Sequence, residues 1–136
     1  MHSLQAIVVT CIDDRIRKPM ENFLENELNL YAVGIKTDLG GVKKLFEEGP
    51  IREWIFENLA EVFKVNNVNR VILINHQDCT AYGGSEAFKT PEEEINAHEI
   101  QLRHAVSGIH AKFPDKQVEA YLALLNYGKV TFKKVI

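Results

Sequence analysis

Cysteine, aspartate and arginine alternate in 11-CIDDR-15, and a histidine and a second cysteine stand three positions apart in 76-HQDC-79. Two thiols and an imidazole make a donor set that zinc takes in tetrahedral geometry. Three protein ligands leave a fourth position for water, the pattern of a catalytic site. Zinc lowers the pKa of such a water to about 7, from about 16 in bulk, so hydroxide is on hand at neutral pH. Thiolates donate charge and weaken that effect, so a helper group is needed. If the chain stays extended past Cys11, then Cys11, Asp13 and Arg15 share one face by the period-two rule, with Ile12 and Asp14 on the other. Asp13 is then expected to accept the hydrogen bond of the zinc-bound hydroxide. Arg15, always charged and able to grip a carboxylate with two parallel bonds, is expected to hold Asp13 ionised and in place.

Cys11 and His76 are distant in sequence, so the fold must bring them together. Residues 5–11 form a short β-branched apolar run of the kind buried on both faces of a parallel sheet, and 30–35 and 70–75 read as further strands. Between them, 19–29 reads as a helix with Pro19 at its first position and Met20, Phe23, Leu24 and Leu28 on one face. The stretch 50–65 reads as a helix with Ile51, Trp54, Ile55, Leu59, Val62 and Phe63 along one stripe. A long helix is expected over 91–113, with Ile95, Leu102, Ala105, Val106 and Ile109 at helical spacing. The tail segments 117–125 and 129–135, around 126-NYG-128, read as a hairpin or as two outer strands. This order predicts an α/β fold: a three-layer domain with a mainly parallel β-sheet of four to five strands flanked by helices, a single domain over 1–136. In an open parallel sheet the carboxyl ends of the strands share one edge, where ligands collect. Cys11 and His76 both fall there, and Cys79 rides the following loop.

Of the 136 residues 46% are hydrophobic and 26% charged, with a net charge of −3, which argues against a basic nucleic-acid groove or a polybasic membrane patch. The expected partners are small molecules. The N-terminus shows no basic leader, and no apolar run approaches the roughly 18 residues of a membrane span. A cytoplasmic protein is expected, in which thiols stay reduced, so the two cysteines read as ligands, reactive groups or core fillers rather than a bridge.

The two motifs, their order, their separation and the strand before each resemble the β-class carbonic anhydrases. The resemblance implies Zn2+ held by Cys11, His76 and Cys79, an Asp13–Arg15 dyad beside the metal water, and reversible hydration of carbon dioxide to bicarbonate. It also implies a second state in which Asp13 swings onto the metal. The chain is most similar to a short, divergent branch: ten residues precede Cys11, Thr80 stands where glycine is usual, Asp14 where serine is usual, and 31–41 matches only loosely. A homodimer or higher homo-oligomer is expected. Two other functions remain open: hydrolysis of carbon disulfide or carbonyl sulfide on the same zinc, and a zinc-binding or regulatory module without turnover.

Each singled-out residue also has a plain structural reading. Either cysteine alone reads as core, and Asp13–Arg15 as a surface ion pair of little value. His98, His104 and His110 lie at six-residue steps that scatter them around a helix. They read as solvated or core-edge residues, with a proton shuttle as the alternative. Gln77 and Asp78 read equally as supports for the ligands or as loop solubility. Gly83 and Gly84 are expected to let backbone approach the metal loop, and Gly40 and Gly41 to take positive φ. The aromatic residues Trp54, Phe56 and Phe63 are assigned to core packing or a subunit contact.

Overall fold

Apolar residues run nearly unbroken through three central strands, and in the computed structural model, which describes residues 2–136, successive side chains of those runs supply two opposite cores. Strand β1 (Ala6–Cys11) runs parallel to β2 (Val33–Asp38) on one side and to β3 (Arg70–His76) on the other. Strand β4 (Gln117–Asn126) pairs parallel with β3, and β5 (Lys129–Lys134) antiparallel with β4, giving the order β2-β1-β3-β4-β5. The tail is therefore a hairpin that also extends the sheet. Its two-residue turn has positive φ at both Tyr127 and Gly128, the handedness that matches strand twist.

One sheet face carries Ile7, Val9, Val71, Leu73, Ala120 and Leu122, packed against the helices α3 (Pro50–Asn66) and α4 (Pro91–Lys112) and the one-turn α2 (Lys43–Phe46). The other face carries Ala6, Val8, Ile72, Ile74, Tyr121 and Ala123, covered by α1 (Asp14–Asn26). Because neighbouring residues supply opposite cores, a one-residue slip of β1 or β3 would exchange their side chains between layers, which is why the register is strongly specified. This is the three-layer α/β architecture expected, with five strands. Among the described residues no helix is long and apolar enough to cross a membrane.

Three local expectations give way. Helix α1 starts at Asp14, not at Pro19, because the Asp13 carboxylate caps it by accepting from the Arg15 N–H; Pro19 lies inside the helix. Strand β2 covers 33–38 rather than 30–35, since pairing with β1 from Ala6↔Val33 to Cys11↔Asp38 sets its limits and overrides its polar composition. On α3 the buried stripe is Ile55, Phe56, Leu59 and Phe63, whereas Ile51 and Trp54 are 55% and 58% exposed. Both lie outside the face that α3 buries, and Trp54 meets only the edge of the sheet, with the Lys36 ammonium of β2 5.2 Å from its ring centre.

Leu59 is wholly enclosed, so Leu59→Ala should cost about 2–5 kcal/mol in denaturant unfolding. Trp54→Ala should cost under about 1 kcal/mol in the same titration.

Candidate metal centre

Parallel pairing of β1 with β3 matches Thr10 to Ile74, so the carboxyl ends of both strands lie side by side. Cys11 ends the first and His76 the second. After His76, the Gln77 N–H donates to the Ala123 carbonyl at 3.0 Å and the Leu125 N–H donates to the Gln77 side-chain oxygen at 2.9 Å, anchoring the loop to β4. Asp78 then takes the left-handed conformation (φ 55) and turns Cys79 back toward the sheet edge. One donor atom from each of Cys11, His76 and Cys79 lies within 4.8 Å of the others, and all three residues are buried.

The two sulfurs are 3.9 Å apart. Tetrahedral zinc with bonds of about 2.3 Å would hold two thiolates about 3.8 Å apart, so the spacing fits that ion. The imidazole agrees. Its Nδ1 lies 2.7 Å from the Gln77 carbonyl, which can only accept, so Nδ1 carries the hydrogen and Nε2 keeps its lone pair. Nε2 is buried without a protein partner. An orphaned acceptor beside two thiols is a set completed by a cation, and a hydrogen bond from the other ring nitrogen is how ligating histidines are oriented. Burial above all pushes the Cys79 thiol up to about 11, with the neighbouring Cys11 adding to it, and burial pulls His76 down. A cation held there at neutral pH would have to displace the proton of the Cys79 thiol.

The glycine pair in 36-KTDLGG-41 proves to be the wall behind Cys11. Gly40 N–H donates to the Cys11 sulfur at 3.3 Å. Gly41 has φ +38, and a Cβ there would lie 2.4 Å from the Thr10 carbonyl carbon and oxygen, so only glycine lets this loop close on the strand end. Gly83 and Gly84 also have positive φ, and Gly84 N–H donates to the Cys79 carbonyl at 2.9 Å.

Asp13 and Arg15 meet, but not along a pleat. Asp13 is the N-cap of α1 and Arg15 its second residue, so the helix start brings the guanidinium round onto the carboxylate. Arg15 donates from Nε to Oδ1 at 3.0 Å and from Nη2 to Oδ2 at 2.7 Å. Oδ2 lies 3.8 Å from the orphaned Nε2 of His76. The Arg15 hydrogen bonds hold the Asp13 carboxyl down at about 2, against the weaker upward pull of burial.

His98 departs from the solvated or core-edge placement expected for it. It is buried beneath the metal loop, its Nδ1 3.2 Å from the Asn75 side-chain nitrogen and its ring edge-on to Tyr82, while His104 and His110 are exposed. Burial pulls His98 down to about 4. Glu94, unremarked within 91-PEEE-94, is buried and accepts from the Asp78 N–H and the Ser85 hydroxyl. Its spacing from His98, one helical turn, was the available signal that both face inward.

A cavity of about 300 Å3 opens beside Cys11 and Asp13, with Ile12, Ile16, Met20 and Ile35 in its wall. A larger one, about 530 Å3, lies beyond the Arg15–Asp78 pair and is lined by none of Cys11, His76 and Cys79.

A family model described as "Putative carbonic anhydrase" matches residues 1–128. An uncharacterized protein of Rickettsia conorii is 24% identical over 128 residues, covering 90% of this chain and 68% of that one. Carbonic anhydrase from Streptococcus mutans superposes with a TM-score of 0.64 at 15% identity, covering 99% of this chain and 83% of that one. One of two tetrameric β-carbonic anhydrases from Sordaria macrospora gives 0.62 at 9% identity, covering 97% and 81%. At these identities the structural likeness speaks for the fold.

Because Asp13 titrates below its ordinary 3.8, its ion pair contributes fully above that pH and fades as pH falls toward 2. Arg15→Ala should move the Asp13 carboxyl up toward 3.8, read by carbon-detected NMR titration. Gly41→Ala should displace Cys11 and weaken zinc binding about 10- to 100-fold in competition with a chromogenic chelator.

Proposed function

The chain belongs to the family described as "Putative carbonic anhydrase", and from that premise we propose that it hydrates carbon dioxide reversibly to bicarbonate on a zinc held by Cys11, His76 and Cys79. The observation that carries this reading is the buried Nε2 of His76, left without a protein partner beside two sulfurs 3.9 Å apart. Zinc bound there supplies the Lewis acidity that makes water a nucleophile near neutral pH.

The remaining work falls to the chain's own groups. Asp13, held ionised by Arg15, is a pure acceptor across the physiological range. Its Oδ2, on the metal-facing side of His76, accepts the hydrogen of the attacking water and so turns a lone pair toward the substrate. Carbon dioxide is small, linear and nearly without handles, so orientation and exclusion of bulk water are the chief contributions available. The side chains of Ile12, Ile16, Met20 and Ile35 beside the dyad suit such a molecule. Those four apolar side chains, which share the wall with Arg17 and Glu21, also admit carbon disulfide or carbonyl sulfide, the second reading.

On the same premise the chain acts as a single cytoplasmic domain, assembled as a homodimer or higher homo-oligomer. Exposed Ile35, Leu39 and Trp54 near the β2 edge support self-association.

Stopped-flow carbon dioxide hydration, with zinc quantified, tests the proposal. Wild type and Asp13→Asn should both hold one zinc per chain, and the variant should lose at least about 100-fold in rate. Cys79→Ser should lose the metal and melt at lower temperature. Sulfide release from carbon disulfide without carbon dioxide hydration would favour the second reading. A wild-type protein that takes up no zinc on reconstitution would overturn both.

A further inference from the structure

Asp78 sits between two of the proposed ligands, and each of its polar groups has a separate assignment. Its N–H donates to Glu94 Oε2 at 2.8 Å, and its Oδ1 accepts from the Ser85 N–H at 2.9 Å. Its Oδ2 accepts from Arg15 Nη1 at 3.0 Å, and its carbonyl from Arg15 Nη2 at 2.9 Å. Glu94 is only 2% exposed, and its Oε1 accepts from the Ser85 hydroxyl at 2.9 Å, so the residue behind the loop is locked in the first turn of α4.

These bonds form one path from the core outward. Glu94 fixes the Asp78 backbone, Asp78 takes one edge of the Arg15 guanidinium, and the Nε edge of that group grips Asp13. Arg15 is 44% exposed, and an exposed arginine–aspartate pair alone contributes little and rearranges freely. A guanidinium is rigid and planar, however, so acceptors on two edges define its plane as one acceptor does not. Both edges are occupied here, and by different elements of the fold.

We propose that Asp78 is a positioning residue: backed by Glu94, it pins Arg15 in the orientation that keeps Asp13 directed at the metal-facing nitrogen of His76. The proposal rests on the reading of Asp13 as the group that orients the nucleophile. It gives the loop between the ligands a second task, holding the dyad as well as the metal.

Asp78→Asn isolates the interaction. Asparagine, like aspartate, adopts left-handed backbone readily, and its side-chain oxygen can still accept from Ser85 while its NH2 opposes Arg15 Nη1, donor against donor. In the zinc-loaded protein, the 15N order parameter of the Arg15 Nε–H should fall from about 0.85 to below about 0.6. The kcat/KM for carbon dioxide should fall about 10-fold, and the same substitution in an Arg15→Ala background should cost under about 2-fold, because coupled residues are not additive. An Arg15 side chain as rigid in Asp78→Asn as in wild type would overturn the proposal, and so would equal losses in both backgrounds. If wild type hydrates no carbon dioxide, the functional reading fails by itself and the order parameter still decides whether Asp78 holds Arg15.

Discussion

The parallel pairing of β1 with β3 is the constraint on which everything at the sheet edge depends. It sets the carboxyl ends of the two strands side by side, Cys11 one position past the Thr10–Ile74 pair and His76 two positions past it, so both donors stand at the same edge of the sheet. The loop after His76 has only to return one side chain, Cys79, to the same point. Three donors from two distant stretches of chain thus converge with little conformational freedom left to lose, which is what a compact divalent cation requires of a site that binds it tightly. Burial disfavours charge on Cys79 and His76, so a thiolate at Cys79 would be stable there only with a cation beside it to offset its charge.

Around that centre the charges are arranged as a relay of fixed orientations. Asp13 is at once helix cap, ion-pair partner and neighbour of His76. Arg15 joins it to the metal loop through Asp78, and Glu94 joins that loop to α4. Elements from both faces of the sheet therefore meet in one hydrogen-bonded set: α1 from one layer, α4 from the other. The glycines at 40 and 41 close the remaining side, where any Cβ on Gly41 would collide with the Thr10 carbonyl.

Much of this was readable in the chain. The apolar strands, the long helices and the mainly parallel sheet followed from apolar patterning and element order, because a strand buried on both faces is apolar almost throughout and an amphipathic helix repeats near every 3.6 residues. The carbonic anhydrase likeness rested on two short motifs and agrees with the family match. The misplacements have local causes. A proline at position 19 suggested a helix start, but the capping carboxylate of Asp13 is the stronger signal once its hydrogen bond is seen. Ile51 and Trp54 fitted the apolar stripe of α3, yet periodicity states which residues share a face and not how wide a neighbour covers it.

Residue types and spacing by themselves named the three side chains that cluster at the sheet edge, the layer architecture and the pairing of an acid with a base beside Cys11, since each follows from chemistry local to a few positions. Only the tertiary structure decided that a helix start rather than a pleat joins Asp13 to Arg15, and that Asp78 bridges the loop after His76 to the dyad. Those outcomes depend on how elements far apart in sequence are packed against one another, and packing is a property of distances in space that no local pattern encodes.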